Sequence, residues 1–305
     1  MLRRLLAPVA VLAGALAAPA LATAAPPWAP ADTAQIRPGS ETRTTGSGQC
    51  TSNFVFTRGD RVLLGQAAHC AGTGEATETD GCDAQSLPLG TTVAVEGATR
   101  PGRIVYSSWL AMQQQGETDP DACAFNDLAL IELDPADAPR VNPSVPFWGG
   151  PTGLGATTSP GDPVLSYGNS SLRAGLELLK PKAGLSLGQS GQGWSHGVLT
   201  LTPGIPGDSG SAFLAKDGRA LGTLSTLQLL PLPGSNGVGD LAREVAYARA
   251  HGMAGLTLAQ GTEPFATLDA SRAAREVATR LERDVTHVLD GTTVGRLLGI
   301  VGVVG

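Results

Sequence analysis

Between Ile36 and about Leu230 the hydrophobic positions fall into short runs separated by turn-forming clusters. The runs are Asn53-Phe-Val-Phe-Thr57, Arg61-Val-Leu-Leu64, Thr91-Thr-Val-Ala-Val95, Arg103-Ile-Val-Tyr106, Leu128-Ala-Leu-Ile-Glu-Leu133, Pro163-Val-Leu-Ser-Tyr167, Gly197-Val-Leu-Thr-Leu201, Ser211-Ala-Phe-Leu214 and Leu221-Gly-Thr-Leu224. Arg58-Gly-Asp60, Lys216-Asp-Gly218 and Ser235-Asn-Gly237 read as turns between them. Short strands at such spacing predict an all-β sandwich or pair of barrels. Helical periodicity is confined to the end of the chain. Asp240 is the expected N-cap of a helix from Leu241 to His251 that Gly252 ends. A second helix is expected over 269–289, where Ala270, Ala274, Val277, Leu281, Val285 and Val288 recur at steps of four and three. Its apolar stripe must be covered; docking on the chain's own body is the expectation, and a partner or dimer helix the alternative.

The first residues read as an address. Arg3 and Arg4 precede an apolar run from Leu5 to about Ala18, and Ala20-Leu21-Ala22 or Ala22-Thr23-Ala24 offers a cleavage site. The run is shorter than the ~20 residues a bilayer requires, and Pro19 interrupts it. Leu297 to Gly305 is also too short to span. A signal peptide over 1–24, secretion to the extracellular space and no membrane association are expected.

Composition agrees with a turn-rich β protein, since the 305 residues include 41 Gly and 22 Pro. The formal charge is −6 and no block of Lys and Arg is present, so the electrostatic footprint of a nucleic-acid binder is missing. Cys50, Cys70, Cys82 and Cys123 are an even set without a C-x-x-C pair, which favours two disulfides over a metal site. Three pairings are open. Cys50–Cys70 with Cys82–Cys123 is preferred because it closes two successive local loops, and a loop of that first size is worth about 3 kcal/mol in the chain-entropy picture.

Three patterns then stand in a fixed order: Gly65-Gln-Ala-Ala-His69-Cys70, Phe125-Asn-Asp127-Leu-Ala-Leu-Ile-Glu-Leu133 and Pro206-Gly-Asp-Ser209-Gly-Ser211. The chemistry needs these types. A serine hydroxyl is a weak nucleophile at neutral pH and requires a base within hydrogen-bond reach, and the base requires a third group to fix its tautomer. Asp119, Asp121 and Asp134 compete with Asp127, but only Asp127 opens an apolar run that carries a carboxylate into a buried place. His196, His251 and His287 sit in no recognisable constellation.

Together the three patterns resemble the sequence signatures of the chymotrypsin-like (trypsin-like) serine proteases, in the form of the secreted bacterial branch. The resemblance covers roughly residues 36–250. It implies an all-β fold of two six-stranded antiparallel barrels with a C-terminal helix, here followed by a helical tail. The expected divisions are a signal over 1–24, a leader over 25–35, a first barrel over 36–140, a second barrel with its helix over 141–261 and the tail over 262–305.

The resemblance also implies roles. Ser209 would be the nucleophile, His69 the general base and then acid, and Asp127 the orienting carboxylate. The N–H groups of Gly207 and Ser209 would form the oxyanion hole. Asp208 would be buried against a cation. That cation is not expected to be a freshly cut N-terminus of the Ile-Val-Gly-Gly type, because the chain has Ile36-Arg-Pro-Gly39; an internal arginine is expected instead. Pro203 stands where members that cut after Lys or Arg carry an acid, and Ser225, Thr226 and Leu227 match the strand that holds substrate backbone. With Leu227 narrowing the pocket, a small or medium apolar residue is expected before the scissile bond. Ser211-Ala212 departs from the usual Gly-Pro after the nucleophile's glycine.

The activity implied is serine endopeptidase, acting on protein or peptide substrate as a monomer, without metal or organic cofactor. Two alternatives stand beside it. A catalytically silent protease-like module would bind peptide only. An α/β-hydrolase esterase would order its triad Ser, Asp, His, which this chain does not.

Overall fold

The short apolar runs pair into antiparallel ladders that bury one face each. A computed structural model of the chain describes residues 27–75, 78–228, 232–267, 278–281, 283, 284 and 286. The expected signal, 1–24, lies outside the described residues, as does most of the expected helix over 269–289, whose described residues are helical.

The first lobe holds β1 (Glu41–Thr44), β2 (Gln49–Thr51), β3 (Val55–Arg58), β4 (Arg61–Ala67), β5 (Thr92–Val95), β6 (Gly102–Ser107) and β7 (Leu128–Glu132). They are ordered β3-β4-β7-β6-β5-β1-β2. β2 and β3 are two halves of one bent segment. Asn53 N–H donates to Gly65 C=O at 2.8 Å and Gly65 N–H to Phe54 C=O at 2.9 Å, carrying the ladder across the bend so that the sheet curls back on itself. A Cβ at Gly65 would lie 1.9 Å from Asn53 Oδ1, so glycine is required there. Val55, Val62, Leu64, Val93, Val95, Ile104 and Ile131 fill the interior.

The second lobe is a closed barrel of β8 (Pro163–Tyr167), β9 (Pro181–Ser190), β10 (Ser195–Thr200), β11 (Ala212–Ala215), β12 (Ala220–Gln228) and β13 (Ser235–Asp240), in the order β10-β13-β12-β11-β8-β9. The chain then returns to the first lobe, where β14 (Thr257–Leu258) pairs with β3. A separate cluster, including Phe54, Phe56, Leu128, Leu165, Leu214, Leu241 and Val245, joins the two lobes. Closed or curled sheets leave few free edges, which explains the many short strands.

Of the three α-helices whose bounds lie within the described residues, the sequence pattern anticipates one. α1 (Ser108–Gln115) and α2 (Pro120–Phe125) are short and carry no long apolar stripe. Their signals are local: α1 ends on Gly116 at φ 63°, and α2 opens with Asp119 accepting from Asp121 N–H and Pro120 in its first turn. α3 (Leu241–Ala250) starts at the expected N-cap, Asp240, which accepts from Arg243 N–H. Ser235-Asn-Gly237, expected as a turn, is instead buried strand in β13. The Asn236 carboxamide explains this, because it bonds main chain on neighbouring segments (below).

Candidate active site

Strand register brings the first two predicted residues together. Ala67 at the end of β4 pairs with Leu128 at the start of β7. The residues just beyond those ends, His69 in the turn Ala68–Ala71 and Asp127, therefore meet at one rim of the barrel. Asp127 Oδ1 accepts from His69 N–H at 2.9 Å, and Oδ2 lies 2.6 Å from His69 Nδ1. Asp127 is buried and His69 partly so. Burial lowers the imidazole's proton affinity, but the Asp127 charge and hydrogen bond outweigh it and His69 stands above its ordinary 6.5. Cys50–Cys70 staples β2 to the His69 turn, and Cys82–Cys123 is the second bridge, as preferred from the sequence.

The second barrel supplies Ser225. The ladder between β12 and β13 slips between Leu224 and Thr226, and a bulge of this kind re-aims the residue it frees. Ser225 Oγ donates to Asp127 Oδ2 at 2.6 Å. The sequence reading assigned Ser225 to substrate backbone alone, so its hydroxyl's bond to the carboxylate is an addition.

Ser209 lies in a turn pinned from three sides. Its carbonyl accepts from Thr51 N–H at 2.8 Å, the Gly207 carbonyl accepts from Thr51 Oγ1 at 2.7 Å, and Gly210 N–H donates to Leu224 C=O at 2.7 Å. Gly207 has φ 91°, which favours glycine. Among the described residues neither Gly207 N–H nor Ser209 N–H has an acceptor. Ser211 is accommodated: it is buried, and its hydroxyl and N–H both donate to Asp208 C=O, tightening the turn.

Asp208 is fully buried beneath this turn. Arg173 Nη2 lies 2.7 Å and Lys182 Nζ 2.9 Å from its Oδ2, while Ser170 N–H donates to Oδ1 at 3.0 Å. The internal arginine is thus Arg173, and Lys182 is a second cation that no local pattern marks. Burial raises the Asp208 carboxyl, but the Lys182 charge and the Arg173 bond and charge outweigh it, holding it below the usual carboxylate range. For Lys182, burial is the largest influence and lowers the ammonium; the Asp208 charge opposes it and the Arg173 charge adds to it, for a net lowering. Ile36 is buried elsewhere, its N–H on Arg140 C=O.

His69 and Ser209 line one cleft of about 660 Å³, whose walls include Trp109, Gly204, Ile205, Pro206, Leu224, Ser225, Thr226, Leu227 and Asn236. Among the described residues no hydrogen bond joins Ser209 Oγ to His69. Pro203 is not in the lining; its carbonyl accepts from Arg173 Nη2 at 2.7 Å. It therefore ties the turn to the buried cations rather than meeting a substrate side chain. Asn236 was missed. Its Nδ2 donates to the carbonyls of Gly204 and Thr226, both at 3.2 Å, and its Oδ1 accepts from Gly204 N–H at 2.8 Å, bridging two cleft walls. His196 pairs with Asp240 inside the second barrel and His251 stacks on Tyr247, so neither reaches the cleft; His287 lies outside the described residues.

The first lobe is an eight-stranded curled sheet and not the expected closed six-stranded barrel, because β14 extends its edge; beside the closed six-stranded second barrel, and with His69 and Ser209 on one cleft, it gives the chymotrypsin-like fold expected from the sequence. Similar solved structures include Thermobifida fusca Protease A, at 15% identity over 74% of this chain and 99% of that one, with a TM-score of 0.46. Cellulomonas bogoriensis chymotrypsin matches at 16% identity over 73% and 98%, TM-score 0.43, and Nocardiopsis protease at 16% over 73% and 98%, TM-score 0.43. No family model matches the chain, and no curated relative matches it either.

Proposed function

We propose that the chain is a secreted serine endopeptidase acting through His69, Asp127 and Ser209. The observation that carries this reading is that His69, held by the 2.6 Å contact to Asp127, and Ser209 line one cleft; the N–H groups of Ser209 and of Gly207 in the same turn, which have no acceptor among the described residues, support it. With Asp127 holding the proton on Nδ1, His69 Nε2 is free to take the Ser209 proton as Oγ attacks a peptide carbonyl. The electron pair displaced onto the carbonyl oxygen is met by Gly207 N–H and Ser209 N–H. Collapse of that intermediate expels the amine, which takes the proton from His69, and leaves an ester on Ser209. Water, deprotonated by His69, then releases the acid and restores the serine. Each step conserves protons within the pair, so no cofactor enters.

Secretion is supported by the pattern of residues 1–24 and the two disulfides, which persist in oxidising compartments. The deciding experiment is labelling with a serine-directed fluorophosphonate. Labelling of folded wild type that is abolished in Ser209→Ala supports the enzyme. Folded wild type that takes no label sinks it and leaves the peptide-binding module.

A further inference from the structure

Glu244 is fully buried on α3, in its first turn, and no basic side chain pairs with it among the described residues. Its Oε1 accepts from Asp127 N–H at 3.1 Å, and its Oε2 accepts from Thr223 Oγ1 at 2.9 Å. Thr223 Oγ1 in turn takes a 3.3 Å hydrogen bond from Asn53 Nδ2. Asn53 lies at the bend between β2 and β3 in the first lobe, Thr223 on β12 of the second, and Glu244 on α3. Space has been kept for this carboxyl: a Cβ at Gly239 would lie 2.4 Å from Oε1. An uncharged side chain of ordinary packing would fill such a place at lower cost, because a buried carboxyl needs its hydrogen bonds satisfied.

We propose, building on the endopeptidase reading above, that Glu244 is a positioning residue for the catalytic pair: by accepting the Asp127 N–H it fixes the main chain from which the Asp127 carboxylate reaches His69. The bond is made to the backbone of the residue that orients the base. A shift there moves Oδ1 and Oδ2 together, and with them both contacts to His69. The groups facing Glu244 are Asp127 from the start of β7, Asp240 from the end of β13 and Tyr106 from β6, with Tyr247 beyond Tyr106. Burial, and then the Asp127 charge, raise the Glu244 carboxyl to about 8, so at neutral pH it is uncharged and adds no second anion beside the Asp127 carboxylate; in that form the O–H lies on Oε2 and donates across the 2.9 Å contact to Thr223 Oγ1, while Oε1 still accepts the Asp127 N–H.

The test uses the full chain with Glu244→Gln and Glu244→Leu. Two readouts are followed from about pH 6 to about pH 10: the fluorophosphonate labelling rate at Ser209, and the NMR titration of the His69 imidazole, which needs no turnover. Glu244→Gln keeps a neutral acceptor for Asp127 N–H and is expected to label within about twofold of wild type at neutral pH. Glu244→Leu removes the acceptor; labelling is expected to slow about tenfold, the worth of one buried hydrogen bond. Its His69 midpoint is expected to fall, because a loosened Asp127 supports the imidazolium less. A Glu244→Leu protein with wild-type rate and midpoint overturns the proposal. Should Glu244→Leu not fold, Glu244→Met, which matches glutamine in length and offers no oxygen acceptor, takes its place, and a wild-type rate and His69 midpoint there overturn the proposal. If wild type takes no label, the endopeptidase reading falls by itself, and the His69 midpoints of the variants still decide the role of Glu244.

Discussion

Ser225 Oγ donates a 2.6 Å hydrogen bond to Asp127 Oδ2, the same oxygen that faces His69 Nδ1. The two residues come from different lobes, so docking of the lobes adds a donor to the two contacts that His69 makes to the carboxylate within the first. Ser225→Ala removes one of the donors that fix Asp127 and leaves the fold's ladder intact. A hydrogen bond to a charged group is worth about 1.5–3 kcal/mol. The expected result is a fall in kcat/KM of roughly tenfold to a hundredfold, carried by kcat, with Tm nearly unchanged. Steady-state kinetics on a peptide ester and a thermal melt check both halves.

The His69 base sets the acid limb of activity. Burial lowers its proton affinity, and the Asp127 charge and bond raise it by more, for a net rise above 6.5. The neutral imidazole is the active form, so activity is expected to climb with a midpoint above 6.5. In Asp127→Asn the burial stays and the charge goes, so the midpoint is expected below 6.5 while the maximal rate falls by roughly 10⁴-fold, as in the general Ser-His-Asp template. The labelling rate of both proteins as a function of pH tests this. A flat profile in wild type removes His69 from the role of base.

The site was legible in sequence where chemistry and chain order coincide. His69-Cys70, Asp127 before an apolar strand and Gly207-Asp-Ser209-Gly each encode a local structure, and the register Ala67–Leu128 turns two of them into one contact. Arg173, Lys182, Glu244 and Asn236 were not legible as partners. Each meets its partners from tens of residues away, and none repeats a pattern of its own: Arg173 reaches Asp208 over 35 positions and Glu244 reaches Asp127 over 117. The same reasoning explains β13. Asn236-Gly237 reads as a turn because those residues favour turns, whereas the carboxamide here replaces hydrogen bonds that a turn would have made within itself.

The buried group beneath the oxyanion turn holds two cations and one anion. Arg173 and Lys182 both contact Asp208 Oδ2, and Lys182 is pushed down because it is buried and shares that anion with Arg173. Lys182→Met leaves a neutral pair and is expected to cost at most about 1.5 kcal/mol. Arg173→Met also strips the Pro203 carbonyl of its donor and is expected to cost more, while Asp208→Asn strands two cations and is expected to cost about 3–5 kcal/mol. Denaturant unfolding ranks the three. Because the folded Asp208 carboxyl lies below its ordinary 3.8, its contribution is present above 3.8 and is lost as pH falls through the lower folded value; wild type is therefore expected to lose stability more steeply in acid than Asp208→Asn.

Leu227 and Asn236 face each other across the ladder of β12 and β13, and both line the cleft. Gly204, Ile205, Pro206, Leu224 and Thr226 on the adjoining walls carry no charge, and the acids of the cleft lining, Glu75 and Glu78, belong to the first lobe rather than to these walls. A small or medium apolar residue is therefore expected before the scissile bond, and Arg or Lys is expected to be a poor substrate there. Leu227→Gly is expected to shift preference toward larger side chains by about tenfold or more, the worth of the methylenes removed. A peptide library read by mass spectrometry decides; strong cleavage after Arg or Lys defeats this reading of the pocket.

Glu244 has a signature in stability as well as in rate. Its folded carboxyl stands at about 8 against an ordinary 4.5. Above 4.5 the unfolded chain releases that proton while the folded chain keeps it, so the unfolded state is favoured progressively as pH rises; beyond about 8 both have released it and the penalty is constant. At 1.36 kcal/mol per unit the effect reaches a few kcal/mol. Glu244→Gln escapes it, since the amide does not ionise and presents the same acceptor to Asp127 N–H. The variant's Tm is expected to match wild type near pH 4.5 and to exceed it by a margin that widens to about pH 8 and then holds. Parallel calorimetric scans across that range measure the margin. A difference that does not change with pH means that the Glu244 carboxyl ionises as freely in the folded protein as in the unfolded chain.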